Sequence, residues 1–198
     1  MVQGSLQQLV LEGRSGYQVI SFPTDTVPAL AVRPDCASLI FAVKQRRIDK
    51  PLILMAGRVP DIWAYVMGDA AEQRCWQAVA ERYWPGALTL VLPASDRVPP
   101  TMNPRDPRSI GVRVPDHPIA QAILLQTGPL ATTSANLSGQ PALQTMPEIA
   151  QQFPQVLVLS PEGFTGEQPP PASGQPSTVA RWTGQGWDIL RQGAIELQ

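Results

Sequence analysis

The stretch 44–52 concentrates positive charge beside a run of apolar residues. The chain has only two lysines, Lys44 and Lys50, and both lie here, while Arg46 and Arg47 bring the count to four cationic side chains within seven residues. Lysine is a compact charge on a flexible stem and arginine offers a planar fork, so both suit a phosphate or carboxylate. The stretch predicts an anion site; a solvated helix end with favourable dipole contacts is the alternative. Arg47 is predicted to be a surface residue.

Small hydroxyl and amide residues follow three predicted strands. They form the segments 22–26 (FPTDT), 132–139 (TTSANLSG) and 176–179 (PSTV). Hydroxyls and backbone N–H groups at strand ends can cradle a phosphate or carboxylate. The alternative for each segment is that Ser, Thr and Asn serve as ordinary turn formers.

Two arginines, Arg113 and Arg191, stand among apolar residues in the segments 110–114 (IGVRV) and 189–193 (ILRQG). Arginine is rarely buried without a partner. Each side chain therefore predicts either a bound anion or a structural pair with Asp or Glu.

Other chemistries find little support in the residue types. His117 is the one histidine, and it lies between a predicted cap and a proline, which disfavours a Ser-His-Asp site. Two separated cysteines and one histidine predict no protein metal site. Neither a GxxxxGK[ST] nor a GxGxxG sequence occurs, so the P-loop and Rossmann fingerprints do not apply.

Length and composition fit one domain that spans residues 1–198. The 22 prolines and 15 glycines predict many turns and short elements. A net charge of −1 disfavours a protein that coats nucleic acid, so anion binding should be local. No basic leader and no run of about 18 apolar residues is present, which predicts no membrane span and a cytoplasmic location.

Strand-like and helix-like segments alternate without a strict βαβ rhythm, which predicts an α/β domain with a mixed sheet. The segment 24–30 is a predicted polar loop, and 95–108 is a predicted mobile surface loop because it is rich in Pro, Arg and Asp. Asp35 and Asp116 are predicted N-caps. We predict helices at 6–13, 36–44, 60–67, 69–83, 118–126 and 147–153, and strands at 17–22, 52–56, 87–92, 110–114, 129–133, 156–159, 177–182 and 187–190.

Six motifs, taken in order, resemble the YrdC/TsaC family of L-threonylcarbamoyladenylate synthases. They are 22–27 (FPTDTV), 44–52 (KQRRIDKPL), 84–92 (WPGALTLVL), 111–118 (GVRVPDHP), 133–139 (TSANLSG), and 176–179 with 189–194 (PSTV and ILRQGA). The resemblance spans about residues 22–194. It implies a YrdC-like fold in which a twisted, mixed, open sheet flanked by helices forms a concave, positively charged cleft. Longer members carry an extra C-terminal domain, and this chain is expected to be the short form.

The resemblance implies a reaction in which L-threonine, bicarbonate and ATP give threonylcarbamoyl-AMP and pyrophosphate, with Mg²⁺ assisting. A downstream threonylcarbamoyl-transferase complex would then modify adenosine 37 of tRNAs that read codons beginning with A. By resemblance, Lys44 and Arg46 are catalytic, the ATP side comprises Lys44, Arg46, Lys50, Ser109, Ser134, Asn136 and Arg191, and the threonine side comprises Thr24, Arg113, Thr132 and Ser177.

One departure from the family pattern lies directly after the first motif. The family commonly continues with Tyr-Gly, whereas this chain has Pro28 and Ala29. Proline lacks an N–H donor and alanine does not readily take a positive φ, so the loop is expected to differ locally. Two alternatives to the synthase stay open: a non-catalytic relative that binds a nucleotide or double-stranded RNA, and a paralogue with a different acceptor.

Overall fold

The computed structural model describes residues 2–45, 50–163 and 172–197. Within these residues six α-helices flank ten strands, and three short 3-10 helices connect them. The strands are β1 (Val2–Gly4), β2 (Ile20–Phe22), β3 (Ala29–Val32), β4 (Ile53–Met55), β5 (Leu88–Pro93), β6 (Ser109–Arg113), β7 (Leu130–Ser134), β8 (Leu157–Leu159), β9 (Thr178–Trp182) and β10 (Trp187–Arg191). The helices are α1 (Leu6–Ser15), α2 (Ser38–Val43), α3 (Val59–Ile62), α4 (Ala70–Tyr83), α5 (Pro118–Thr127) and α6 (Met146–Gln152).

The described strands form one sheet in the order β1-β8-β2-β3-β7-β4-β6-β5-β9-β10. Four neighbouring pairs are parallel: β1 with β8, β8 with β2, β4 with β6, and β5 with β9. The other neighbours are antiparallel. The predicted mixed sheet flanked by helices is therefore confirmed.

The two faces of this sheet are covered unequally. Successive strand residues point to opposite faces, and along β3 the side chains alternate between two separate buried clusters. The larger cluster buries residues of α2, α3, α4 and α6 against one face. The smaller cluster buries α1 and α5 against the other face over β2, β3 and β8. The residues of β5 and β6 that face this second side belong to neither core cluster. No helix of the smaller cluster covers the sheet there, so this part of the face is open.

Helix ends follow the expected capping chemistry at several places. Ser5 and Gln8 form a capping box at the start of α1, and Gly16 ends the helix with a φ of 74°. Asp69 caps α4 and accepts from the amides of Ala71 and Glu72. Both helices begin within one residue of the predicted start, although α1 runs two residues beyond its predicted end at residue 13.

Two predicted caps are wrong. Asp35 lies in a 3-10 helix, and its carboxylate pairs with Arg33 at 2.6 Å instead of capping α2. Helix α2 begins at Ser38, with Ala37 as its N-cap. His117, not Asp116, precedes α5, because Pro118 occupies the first helical turn.

The segments predicted as loops also differ from expectation. β3 (Ala29–Val32) begins within the predicted loop 24–30 and extends past it. Its sequence shows no alternation of polar and apolar residues because all four of its residues are buried. The segment 95–108 is anchored to the sheet: Met102 is fully buried, and its carbonyl accepts from the Leu52 amide at 2.8 Å. The predicted terminal hairpin is confirmed as the antiparallel pair β9–β10.

Ser21 on β2 generates a stability prediction. Its hydroxyl is buried and has no hydrogen-bond partner among the described residues, between the cross-strand neighbours Leu30 and Val158. A buried polar group without a partner retains its desolvation penalty. Ser21→Ala should therefore raise the free energy of unfolding by about 1 kcal/mol, measured by urea denaturation.

Ser15→Ala is the matched control for this substitution. The Ser15 hydroxyl donates to the Glu12 carbonyl at 3.0 Å, so its removal should lower stability. A Ser21→Ala protein less stable than the wild type would contradict the prediction.

Candidate functional site

A cavity of about 700 Å³ occupies the open part of the second sheet face. Its floor is one row of cross-strand neighbours that runs from β7 to β9: Thr132, Ile53, Gly111, Val91 and Arg181. Such a size is typical of a pocket for a small molecule. Gly111 lies at the centre of the row, so no side chain projects into the cavity at that point.

Most residues predicted from the sequence meet at this cavity. The predicted residues that line it are Lys50, Ser109, Arg113, Thr132, Ser134, Asn136, Ser177 and Arg191. Lys44 and Thr24 lie behind the wall, fully buried or nearly so. Arg46 and Arg47 lie outside the described residues.

Arg113 is a buried cation with three hydrogen-bond partners among the described residues. Its guanidinium donates to Asp25 Oδ1 at 2.7 Å, to Thr26 Oγ1 at 2.8 Å and to the Gly86 carbonyl at 3.0 Å. Burial lowers the pKa of Arg113 while the Asp25 charge opposes that shift, and arginine stays charged in either case. The predicted structural pair with a carboxylate is therefore confirmed, and an anion bound at Arg113, which also lines the cavity, stays a prediction.

Thr24 organises the loop and does not reach the cavity. Its hydroxyl donates to the Val27 carbonyl at 2.7 Å and accepts from the Thr26 amide at 3.2 Å. Thr26 lines the cavity instead, where its hydroxyl accepts from Arg113. Thr24 thus shapes the turn that presents Thr26.

Lys44 holds the loop that follows β7. Its ammonium donates to Asn136 Oδ1 at 3.1 Å, to Thr133 Oγ1 at 3.4 Å and to the Ser134 carbonyl. Asn136 also accepts from the Ser134 hydroxyl at 2.6 Å and donates to the Gln140 carbonyl at 2.6 Å. Because a buried ammonium needs several acceptors, Lys44 fixes the geometry of two cavity-lining residues, Ser134 and Asn136.

Lys50 and Arg191 give the cavity its unbalanced positive charge. Both are exposed, and neither forms a salt bridge within the described parts of the chain. Arg191 donates to the Ser177 carbonyl at 2.8 Å, and partial desolvation of its guanidinium together with the nearby Arg113 charge lowers its pKa. Asp106 is the one acidic residue among the described lining residues. Arg113 and Arg191 carry like charges that repel each other and both line the cavity, which favours an anionic ligand there.

Pro28 and Ala29 fit the structure without strain. Ala29 is in extended conformation at the start of β3, where it pairs with Ser134. Gln45 is the described non-glycine residue with a positive φ, so Ala29 needs no such backbone. The Pro28 carbonyl accepts from the Ala135 amide at 3.0 Å. Pro28 and Ala29 therefore need no strained backbone here, and a local difference from the family's loop stays a prediction.

Several lining residues were missed by the sequence analysis. Thr89 sits between the buried Leu88 and Leu90, and this alternation is a signal for a polar face that could have found it. Asn103 lines the cavity and donates to Ser109 Oγ at 3.1 Å, but it lies in the segment interpreted as a surface loop. Asn103 stands in no motif, whereas Thr89 lies inside the motif 84–92 but was not singled out there as a site residue.

Other candidate chemistries lie away from the cavity. His117 is buried outside the lining, and burial lowers its pKa, so it is neutral at pH 7. The described residues contain no group of three or more His, Cys, Asp or Glu side chains arranged for a metal ion. No helix within them is long and apolar enough to span a membrane.

Comparisons with known sequences agree along nearly the whole chain. The sequence model of the Sua5/YciO/YrdC family, described as telomere recombination, matches residues 14–193. A threonylcarbamoyl-AMP synthase of Vibrio cholerae is 35% identical over 194 residues, which cover 96% of this chain and 97% of that protein. A threonylcarbamoyl-AMP synthase of Homo sapiens is 34% identical over 194 residues and is covered to 67% of its length.

Solved structures share the fold. The P. abyssi Sua5 structure complexed with L-threonine has a TM-score of 0.82 at 26% identity. It matches 97% of this chain, and the chain spans 57% of the length of that protein. E. coli YciO has a TM-score of 0.78 at 25% identity, with 98% of this chain and 95% of that chain covered.

The Arg113–Asp25 ion pair generates a test of what holds the cavity wall. Its side chains are 5% and 15% exposed, so removal of the carboxylate charge leaves a buried guanidinium uncompensated. Asp25→Asn should lower the free energy of unfolding by about 3–5 kcal/mol, measured by guanidinium denaturation.

Asp35→Asn is the control, because the Arg33–Asp35 pair is 45% and 56% exposed. It should cost no more than about 1 kcal/mol. If Asp25→Asn and Asp35→Asn lowered the free energy of unfolding equally, burial would not determine how much the Arg113–Asp25 pair contributes to stability.

Proposed function

We propose that this chain, which belongs to the Sua5/YciO/YrdC family, forms threonylcarbamoyl-AMP and pyrophosphate from L-threonine, bicarbonate and ATP. One observation carries the proposal. In a chain similar end to end to a threonylcarbamoyl-AMP synthase, the exposed cations Lys50 and Arg191 line the same cavity as a set of strand-end hydroxyls. We also propose that residues 1–198 form one domain.

The ATP side of the proposed site joins cations to small polar groups. Lys50 and Arg191 would neutralise the phosphates, since both are exposed to the cavity and neither has a carboxylate partner in the described residues. Ser109, Ser134 and Asn136 would supply hydrogen bonds from the wall. We propose that Lys44 acts on this side through the loop that it holds, and that Arg46 belongs to the same side.

The threonine side of the proposed site surrounds the buried Arg113. Arg113 would attract the carboxylate of the amino acid, and Thr132 and Ser177 line the same cavity. The Thr132 hydroxyl is already committed to the Ile53 carbonyl at 3.0 Å, which leaves its lone pairs for a donor such as the threonine amino group. Thr24 would contribute by holding Thr26 in place.

The proposed reaction places modest demands on the protein. The amino group of threonine and bicarbonate give a carbamate and water. A carbamate oxygen then attacks the α-phosphorus, the bond to the β-phosphate breaks, and pyrophosphate leaves. Such a nucleotidyl transfer needs alignment and charge neutralisation more than a protein nucleophile. Fixed cations and hydroxyls in a concave site meet that need.

Magnesium would enter with the nucleotide. Mg²⁺ is commonly held by substrate phosphates together with one or two carboxylates and water. Asp106 is the carboxylate of the described lining that could share in this coordination. The product would pass to a separate threonylcarbamoyl-transferase complex that acts on tRNA.

The activity itself is the first prediction of this proposal. Purified protein given ATP, Mg²⁺, L-threonine and labelled bicarbonate should release labelled threonylcarbamoyl-AMP, detected by chromatography.

Arg191→Gln keeps a similar side-chain length but loses the charge. It should weaken ATP binding by about 1.5–3 kcal/mol, the range for a charged hydrogen bond.

Arg97→Gln is the matched control, because Arg97 is exposed and outside the cavity lining. It should behave as the wild type. Absence of labelled product from the wild type, where the Vibrio cholerae relative is active, would refute the proposed function.

Gly111 gives a steric prediction. A Cβ at this position would meet Ile53 Cγ1 and Thr89 Cγ2 at 3.4 Å, at the edge of ordinary contact, so the protein itself can accept it. A valine would extend from the floor into the cavity. Gly111→Val should therefore reduce ATP and threonine affinity at least about tenfold by isothermal titration calorimetry, since each 1.4 kcal/mol is a factor of ten.

Gly111→Ala separates filling of the cavity from damage to the strand. Glycine in a strand costs about 0.5–1 kcal/mol relative to alanine, so Gly111→Ala should be as stable as the wild type or more so. Affinity for ATP and threonine should fall from the wild type to Gly111→Ala to Gly111→Val, while the midpoint temperature of thermal unfolding should not fall. Full affinity of Gly111→Val would exclude the floor from the binding site.

A further inference from the structure

Thr89 is a buried hydroxyl in the cavity wall to which the proposed function gives no task. Its Oγ1 lies 2.8 Å from Ser177 Oγ, and the two residues are 1% and 3% exposed. Both line the cavity, one from β5 and the other from the residue that precedes β9. The parallel pairing of these strands fixes the separation of the two hydroxyls.

Arg191 completes a chain of three side chains. Its Nη2 donates to Ser177 Oγ at 3.3 Å, and the same guanidinium donates twice to the Ser177 carbonyl, at 2.8 and 3.1 Å. Ser177 is therefore held by β10 on one side and by Thr89 on the other.

The hydrogen-bond donors and acceptors at Ser177 Oγ can be assigned. A serine hydroxyl has one proton and two lone pairs. One lone pair of Ser177 accepts from Arg191, and the other accepts from Thr89 when the threonine donates. The proton of Ser177 is then left for an acceptor in the cavity. With the Arg191 charge beside it, the acceptor that fits best is an anionic oxygen.

We propose that Thr89 is a positioning residue, which donates to Ser177 and thereby directs the Ser177 proton at an anionic oxygen of L-threonine. This inference rests on the proposed function for the identity of the ligand. Thr89 acts through Ser177 and does not itself need to touch the substrate. Without the Thr89 oxygen, the Ser177 hydroxyl would lose the partner that fixes its rotation.

The test uses variants that differ by single atoms. Thr89→Val keeps the shape and removes the hydroxyl, whereas Thr89→Ser keeps the hydroxyl. Isothermal titration calorimetry of the purified full-length chain should find L-threonine affinity five- to tenfold weaker in Thr89→Val, about the value of one hydrogen bond. Thr89→Ser should be within about twofold of the wild type, and ATP affinity should change less than threonine affinity in both.

A double-variant cycle distinguishes positioning from a general structural effect. If Thr89 acts through Ser177, Thr89→Val should add nothing further in a Ser177→Ala background. Thr127→Val is the matched control: its hydroxyl donates to the Gly128 carbonyl at 2.7 Å at the end of α5, so its loss should leave threonine affinity unchanged.

Each outcome decides one statement. A wild type that binds threonine but forms no threonylcarbamoyl-AMP refutes the proposed function and leaves the binding test of Thr89 valid. The role of Thr89 is overturned if Thr89→Val weakens L-threonine binding as much in the Ser177→Ala background as in the wild type. It is also overturned if Thr89→Ser binds L-threonine as weakly as Thr89→Val. A wild type that binds no L-threonine overturns both.

Discussion

The unequal cover of the two sheet faces is the constraint on which the cavity depends. Strand side chains alternate, so each strand that is apolar on the face toward α2, α3, α4 and α6 presents its other residues to the opposite face. There, α1 and α5 bury only the part over β2, β3 and β8. Over β5 and β6 the same face carries Thr89, Gly111 and Arg113, and neither of the two core clusters includes them. The cavity is the consequence of that pattern.

Charge in the wall is divided between anchored and ligand-facing cations. Lys44 and Arg113 are buried, and each is satisfied by several fixed oxygens of the protein. Lys50 and Arg191 are exposed to the cavity and lack a carboxylate partner within the described residues. The first pair fixes the loops, and in the proposed function the second pair would neutralise the ligand. The buried cations are held by hydrogen bonds to protein oxygens, so the exposed ones remain available to a ligand.

Sequence reasoning predicted the elements best where polarity changes along the chain. The helix predicted at 69–83 and the terminal hairpin follow local signals, and the structure has both as α4 and the β9–β10 pair. β3 was missed because a strand buried on both faces shows no alternation. The motif residues Ser134, Asn136 and Arg191 do meet at one cavity. The burial of Lys44 depends on contacts with residues about 90 positions away, which no local pattern reveals. The same holds for the segment that contains Asn103, which Leu52 holds against the protein through the Met102 carbonyl.

The distribution of charge also bears on whether the natural ligand is a small molecule or a nucleic acid. Binding to a duplex depends on many phosphate contacts spread over a basic surface. This chain has a net charge of −1, and Arg181, a further cation on the cavity floor, is paired with Asp188 at 2.8 Å. Within the described lining, Lys50 and Arg191 add positive charge without a carboxylate partner to a concave site that also carries hydroxyls held by buried partners. Such a site favours one small anion in one orientation over a long, uniform polyanion.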